Sequence, residues 1–147
     1  MADALHNAVL RPLKALSKPA AVPENFTGAV RQHNLTQGQT MHECLAVWFP
    51  AGARTILHHH EADQLLQCIE GEIAVGIGRE RRILTLGEMI VIPAGIWHWH
   101  GATPLGDACH LTIKQYSQTH WGGAPAEEQP EFDAYADWAT WAAGVTR

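Results

Sequence analysis

Residues 52–64 read Gly-Ala-Arg-Thr-Ile-Leu-His-His-His-Glu-Ala-Asp-Gln, and residues 93–100 read Pro-Ala-Gly-Ile-Trp-His-Trp-His. Successive side chains of an extended strand point to opposite faces, so His58 and His60 project together while His59 points away. Two imidazoles on one face of a strand can hold a metal ion between them. The first block therefore predicts a strand that presents a pair of metal ligands.

Two further side chains complete the predicted metal site. Gln64 lies close enough in sequence to turn back toward the histidine pair, and His98 comes from a second strand-like segment. Neutral imidazole is the commonest metal ligand in proteins, and three imidazoles with one amide suit Mn, Fe, Ni or Zn. An isolated His-x-His pair is more often a surface feature than a ligand set, so the prediction depends on the surrounding spacing. We predict one divalent transition metal per chain, with His58, His60, Gln64 and His98 as ligands.

Small residues and histidines recur at fixed distances in both blocks. The first block runs Gly52, five residues, His58, one residue, His60, three residues, Gln64, six residues and Gly71; the second runs Gly87, five residues, Pro93, Ala94, Gly95, two residues and His98. This spacing resembles the two signature motifs of the cupin superfamily, a small β-barrel whose two antiparallel sheets carry ligands on their inner faces. The chain departs from the motifs at Gln64, where the family usually has glutamate, and at Ala102, where it usually has asparagine. A neutral amide in place of a carboxylate leaves a divalent ion its full double charge, which makes it a stronger Lewis acid.

The rest of the chain reads as a β-rich centre between two short helices. Apolar residues at helical spacing predict a helix over residues 4–16, and aromatic residues at three-residue intervals predict another over residues 131–143. Between them, short β-rich runs alternate with Gly, Pro or charged clusters, as in a sandwich or barrel. The predicted strands are 26–30, 43–49, 55–60, 65–69, 73–77, 83–86, 89–92, 97–100 and 108–116.

The predicted fold class is all-β. We expect a double-stranded β-helix of the jelly-roll or cupin-barrel type, with short helices at both ends. The predicted divisions are an N-terminal helical extension over residues 1–25, the barrel over residues 26–118, and a C-terminal loop and helix over residues 119–147.

Two more histidines are candidate catalytic residues. His100 follows His98 by two positions, so in a regular strand it points into the same cavity. His110 lies between apolar neighbours in a later strand, and either ring has the alternative role of a core histidine satisfied by a backbone carbonyl. Beside a metal ion, a neutral imidazole is placed to act as a general base near neutral pH.

Three segments carry a closer resemblance: Phe26-Thr-Gly-Ala-Val-Arg31, Gly52-Ala-Arg-Thr55 and His98-Trp-His-Gly-Ala102. Together with the ligand positions and His110, they are similar to the bacterial cupins typified by the manganese-dependent hydroxynitrile lyases and their carboxymuconolactone-decarboxylase-like relatives. The similarity covers roughly residues 26–116. It implies manganese as the first choice of metal, with three histidines and one glutamine as ligands. It also implies that His110 handles the proton of a cyanohydrin and that His100 lines the same pocket.

These features lead to three hypotheses of function. The leading one is a metal-dependent lyase that breaks a carbon–carbon bond in a small oxygenated organic molecule, with hydroxynitrile-lyase-like or decarboxylase-like chemistry. In it, His110 or His100 takes the proton as the bond breaks. The second hypothesis is a non-haem metal dioxygenase, which the same three histidines support. The third is a non-catalytic cupin that binds a small molecule, because fold analogy by itself does not select a reaction.

Composition limits the partners. The chain has 147 residues, of which 46% are hydrophobic and 17% charged, as in a single soluble globular domain. A net charge of −5, without a basic run beyond Arg79, Arg81 and Arg82, argues against nucleic acid as a partner. No segment is apolar enough to span a bilayer or to act as a secretory signal, so we expect a cytoplasmic protein with no membrane partner. Six tryptophans in so short a chain predict a homodimer or homotetramer.

Overall fold

The structure is a computed structural model of the protein and describes residues 9–38 and 40–134. Within these residues the chain forms one α-helix, α1 (Gln129–Ala134), and two single 3-10 turns, Lys14–Leu16 and Pro23–Asn25. The remaining regular structure is extended. The strands are β1 (Lys18–Pro19), β2 (Phe26–Thr27), β3 (Arg31–Asn34), β4 (His42–Phe49), β5 (Arg54–Thr55), β6 (His58–His60), β7 (Gln64–Glu70), β8 (Ile73–Ile77), β9 (Glu80–Leu84), β10 (Met89–Ile92), β11 (Trp99–Ala102), β12 (Ala108–Gln115) and β13 (Thr119–Trp121).

The strands form two large antiparallel sheets and a small one. The first large sheet has six strands in the order β1-β3-β4-β12-β7-β10, and the second has five in the order β2-β5-β11-β8-β9. A two-stranded sheet pairs β13 with β6. Neighbours in space are mostly distant in sequence, as in a jelly roll, where two sheets close over each other and protect their edges. The prediction of an all-β jelly-roll fold is confirmed.

The core lies between the two large sheets. Val47, Phe49 and Leu66 from the six-stranded sheet pack in one cluster with Ile73 and Val75 from the five-stranded sheet. Full burial of an aliphatic or aromatic side chain of this size contributes about 1.5–3 kcal/mol. The core therefore holds the two sheets together.

The helix predicted over residues 4–16 is wrong for the residues that the structure describes. Residues 9–13 have no regular structure, and Lys14–Leu16 form a single 3-10 turn. Pro12 lacks the N–H that a helix interior needs and disfavours a helical backbone at Arg11. The backbone N–H of Leu13 instead donates to Nδ1 of His33 at 3.2 Å. Residues 4–8 of this predicted helix lie outside the described residues.

Several strand boundaries differ from the prediction. The runs over 73–77 and 89–92 appear with the predicted limits, as β8 and β10. The predicted run over 55–60 is interrupted at residues 56–57, so that β5 joins the five-stranded sheet and β6 pairs with β13. The strands β3 and β13 were not predicted. β3 consists of four polar residues and has no apolar alternation, and β13 has only three residues, too few to show a strand pattern.

The C-terminal helix begins two residues before its predicted start. α1 covers Gln129–Ala134, and residues 135–143 of the predicted helix lie outside the described residues. The guanidinium of Arg54 lies over the ring of Phe132, 3.5 Å from its centroid, and also donates to the carbonyl of that residue. This contact ties α1 to β5. In the described part of the chain, no helix is long and apolar enough to cross a membrane.

Candidate metal centre

Strand β6 presents two histidines to the interior and one to the outside. His58 and His60 are 1% and 6% exposed, and their ring centroids are 5.0 Å apart. His59 points the other way, where its ring stacks on His120 with centroids 4.6 Å apart. The alternation of side chains along a strand produces this division.

The second motif joins the first through the backbone. His58 and His98 exchange two N–H···O=C hydrogen bonds of 3.0 and 2.9 Å. The turn before His98 is fixed by Asp63, whose carboxylate accepts the backbone N–H of Ala94 at 2.9 Å. Gly95 in this turn has φ +78°, which glycine adopts without steric cost. The pairing places the His98 side chain directly beside that of His58.

Three of the four predicted ligands lie together with their nitrogens converging. The ligand atoms of His58, His60 and His98 are all within 4.8 Å of one another, and all three residues are buried. Nδ1 of His58 is 2.9 Å from the carbonyl of Ile56, and Nδ1 of His98 is 2.8 Å from that of Ile96. An imidazole that donates its Nδ1–H to a carbonyl has its Nε2 lone pair free for a metal.

Gln64 lies against this cluster. Its Nε2 donates to Oγ1 of Thr112 at 2.9 Å, which turns its Oε1 toward Nε2 of His98 at 3.0 Å. Both ring nitrogens of His98 therefore face a carbonyl oxygen, Nδ1 that of Ile96 and Nε2 that of Gln64. A neutral imidazole carries only one N–H, so at one of these two contacts a nitrogen lone pair faces an oxygen lone pair. A cation between Nε2 and Oε1 would replace that repulsion with two coordinate bonds. The residues present therefore fit a metal ion.

Burial keeps the three imidazoles neutral at physiological pH. It lowers the pKa of His60 to about 3 and that of His98 to about 4, and it lowers the pKa of His58 well below its usual value. At His58 and His60 the neighbouring His98 adds to the effect of burial on the pKa. Protonation of His98 would relieve its lone-pair repulsion with Gln64, but the lowered pKa makes the protonated form unfavourable. The lone pairs of all three rings are therefore available to a metal.

The other two predicted histidines form a pair beside the cluster. Nε2 of His110 lies 3.1 Å from Nδ1 of His100, and the residues are 0% and 4% exposed. Burial lowers the pKa of His110 to about 3, and it lowers the pKa of His100 well below its usual value, with the charge of His110 as the next cause. Nδ1 of His110 is 3.4 Å from Oγ1 of Thr112, whereas Nε2 of His100 is buried with no hydrogen-bond partner among the described residues.

A cavity of about 230 Å³ joins the two groups of histidines. Trp121 forms part of its wall and stacks on the ring of His58, with centroids 4.4 Å apart and planes at 27°. The indole is 36% exposed, so it lies between the metal ligands and solvent. The side chains that line the cavity include His58, His60, Gln64, His100, His110, Phe26, Leu45, Val47, Thr55, Thr112, Thr119, Trp121, Glu43 and Lys114.

Sequence reasoning missed several residues of the site. Thr112 and Lys114 follow His110 at intervals of two in β12, so strand alternation alone could have placed them on the inner face. Thr119, whose hydroxyl lies 2.8 Å from Nδ1 of His60, gave no such signal. It reaches the site because β13 pairs with β6, a contact between segments about sixty residues apart.

Comparisons with known proteins agree with this architecture. Residues 46–113 match the Cupin_2 family, described as a cupin domain. A cupin-like protein from Thermotoga maritima is 29% identical and superposes with a TM-score of 0.66, covering 77% of this chain and 92% of that chain. The polyketide cyclase RemF from Streptomyces resistomycificus is 16% identical, with a TM-score of 0.66 and coverage of 94% and 99%.

A third solved structure is a sugar phosphate isomerase of the cupin superfamily from Silicibacter pomeroyi. It is 16% identical, with a TM-score of 0.56, and the match covers 65% of this chain and 66% of that chain. Among curated proteins, none matches this sequence. Likeness at 16% identity shows the fold and leaves the reaction to be argued from the site.

Proposed function

We propose that this chain, whose fold is that of the cupins, is a metal-dependent lyase acting on a small organic molecule. The bond that breaks is a carbon–carbon bond beside a hydroxyl-bearing carbon, as in the hydroxynitrile lyases that its motifs resemble. One observation carries the proposal: a cluster of three converging imidazoles and a hydrogen-bonded pair of further imidazoles lie at one cavity, which His58 and His60 of the cluster and both members of the pair line. The first group suits a Lewis-acidic ion, and the second suits the transfer of a proton.

The ligands in this proposal are His58, His60 and His98, with Oε1 of Gln64 as the fourth. All four donors are neutral, so a divalent ion would keep its double charge. Such an ion, with manganese as the first candidate and Fe, Ni or Zn also suited, supplies Lewis acidity that lowers the pKa of a substrate hydroxyl. Thr112 fixes the orientation of the glutamine amide by accepting its N–H at 2.9 Å.

The pair of His100 and His110 is the proposed proton acceptor. One proton lies between the two rings, and its position decides which outer nitrogen has a lone pair: Nε2 of His100 or Nδ1 of His110. When the outer nitrogen that has the lone pair takes up a proton, the shared proton can cross to the other ring. That ring then releases the proton on its own outer nitrogen, so the pair can relay a proton. Because burial lowers the pKa of His110, the pair is neutral before the reaction and has a lone pair available to accept a proton.

For a cyanohydrin the steps balance without an oxidant or reductant. The pair takes the hydroxyl proton, and the oxygen forms a carbonyl as the bond to the nitrile carbon breaks. The bond electrons leave with cyanide, which then takes the proton back from the pair. The products are an aldehyde or ketone and hydrogen cyanide.

The test is turnover of mandelonitrile by manganese-loaded protein, together with elemental analysis. Replacing His110 or His100 by alanine should leave stoichiometric metal and lower kcat by about 100- to 10,000-fold, the usual contribution of a general base. His42→Ala, which removes an exposed histidine, is the matched control and should turn over like the wild type. Wild-type turnover by His110→Ala with metal still bound would show that the proposed base role is wrong.

The same three-histidine set favours a second candidate, a non-haem metal dioxygenase. The two reactions differ in their need for oxygen. A lyase turns over equally well under argon, whereas a dioxygenase consumes oxygen with catechols, diketones or flavonols and stops without it. Tight ligand binding with no turnover in either assay would instead identify a non-catalytic binding protein.

A further inference from the structure

A charged pair lines the same cavity as the metal ligands. The ammonium of Lys114 lies 2.9 Å from a carboxylate oxygen of Glu43, and the two residues are direct cross-strand partners on β12 and β4. Both line the cavity, with 6% and 19% of their side-chain surfaces exposed. The mechanism proposed above uses neither residue.

Strand alternation directs Lys114 to the interior. His110, Thr112 and Lys114 are buried along β12, whereas Leu111 and Ile113 between them are half-buried on the other face. An ammonium has three N–H donors, and among the described residues Glu43 is the acceptor that the structure gives it. Donors remain for an acceptor brought into the cavity by a ligand.

The charges in the cavity favour an anion. The imidazoles and the amide that line it are neutral, and the negative charge of Glu43 balances only the positive charge of Lys114. A divalent ion on the three histidines would therefore give the cavity a net positive charge. Glu43 is also the more exposed member of the pair, so water screens its charge more strongly than that of Lys114. An anion that contacts the ammonium gains from both positive charges.

We propose that Lys114 binds the carboxylate of the substrate, so that the substrate is a small hydroxy acid or oxo acid. This deepens the proposed function and rests on it, because it takes the same cavity as the substrate site. The cavity of about 230 Å³ lies below the roughly 300–1,000 Å³ of sites for drug-sized ligands, which favours an acid smaller than a drug-sized molecule. One ammonium matches the single charge of a carboxylate, whereas a phosphate would bring a second negative charge close to Glu43.

Binding of hydroxy acids and their amides to manganese-loaded protein tests this assignment by calorimetry. The probes are glycolate, 3-hydroxypropanoate and 4-hydroxybutanoate, each compared with its neutral amide. Glycolate is an internal reference, because its hydroxyl and carboxylate can chelate the ion without the lysine. For at least one longer acid, we expect the acid to bind about ten- to hundredfold more tightly than its amide, the range of one charged hydrogen bond.

Two variants isolate the ammonium from its partner. Glu43→Gln leaves the ammonium and removes the competing carboxylate, so the preference for the acid should persist or increase. Glu43→Gln/Lys114→Met removes both charges at similar volume, a change that buried ion pairs often tolerate, and should abolish the preference. The control variant Glu24→Gln/Lys18→Met makes the same change in charge at two exposed residues away from the cavity. It should bind the acids and amides like the wild type.

The proposal is overturned if Glu43→Gln and the double variant show the same ratio of acid to amide affinity. It is also overturned if neither longer acid binds the wild type at millimolar concentration. In either case the pair only links β4 to β12. If the double variant does not fold, Glu43→Gln alone decides, because an ammonium freed from its partner must bind the longer acid at least as tightly as in the wild type.

The anion site and the lyase activity can each be refuted independently of the other. A carboxylate preference that depends on Lys114, without carbon–carbon bond cleavage, would support the anion site and contradict the lyase. Turnover of neutral mandelonitrile, without any preference for carboxylates, would support the lyase and contradict the anion site.

Discussion

Five buried histidines should make the metal-free protein sensitive to mild acid. Histidine in an unfolded chain titrates near 6.5, whereas burial lowers the pKa of His60 and His110 to about 3 and that of His98 to about 4 in the folded protein. Protons therefore bind these histidines more tightly in the unfolded chain than in the folded protein. The stability from these groups is fully present above about pH 6.5 and is lost as the pH falls toward the folded-state pKa values.

The magnitude follows from the pKa differences. At about pH 5 each of these three histidines is protonated in the unfolded chain and mostly neutral in the folded protein, which costs about 2 kcal/mol per residue relative to pH 8. Together they remove about 6 kcal/mol, comparable with the 5–15 kcal/mol that stabilises a typical domain. Burial of His58 and His100, whose pKa values are also lowered, acts in the same direction.

Urea denaturation of chelator-treated protein, followed by tryptophan fluorescence between about pH 8 and pH 5, measures this effect. The lower limit keeps most carboxylates ionised, so the histidines dominate the change. His110→Gln should reduce the dependence on pH by about 2 kcal/mol, whereas the exposed His42→Gln should leave it unchanged. An unfolding free energy that stays within about 1 kcal/mol over this range would refute the argument from buried neutral histidines.

Three further predictions concern the metal ligands and the packing of the sheets. His98→Ala should lose its metal in elemental analysis while the outward-facing His59→Ala keeps it; equal metal in both variants would argue against the site. Gln64→Glu should keep the ion and lower kcat, because the added negative charge weakens Lewis acidity; unchanged turnover would contradict this role of the amide. Gly101→Ala should lower stability by about 1–3 kcal/mol, since its Cβ would lie 2.2 Å from the carbonyl oxygen of Ala53, and an unchanged thermal midpoint would disprove so close an approach.

Sequence patterns correctly predicted those strands whose two ends are set by residues adjacent in the sequence. β8 and β10 are short apolar runs bounded by glycine, proline or charged residues, and both have the predicted limits. The predicted helix over residues 4–16 is wrong in its described part. The prediction relied on the spacing of the apolar residues and took no account of Pro12, which lacks the N–H that a helix interior needs. β13 has only three residues, too few to show a strand pattern, and forms because its backbone pairs with β6.

The sequence by itself determined the kinds of donor atom and the faces of the strands that carry them. His58 and His60 share a face because strand alternation is a property of consecutive residues, and it needs no knowledge of the fold. Only the tertiary structure decided which groups meet. Pairing between distant strands brings Thr112 to Gln64, Thr119 to His60, and Lys114 to Glu43. These contacts depend on the register between strands, which is set by the burial of whole faces against each other and has no counterpart in local spacing.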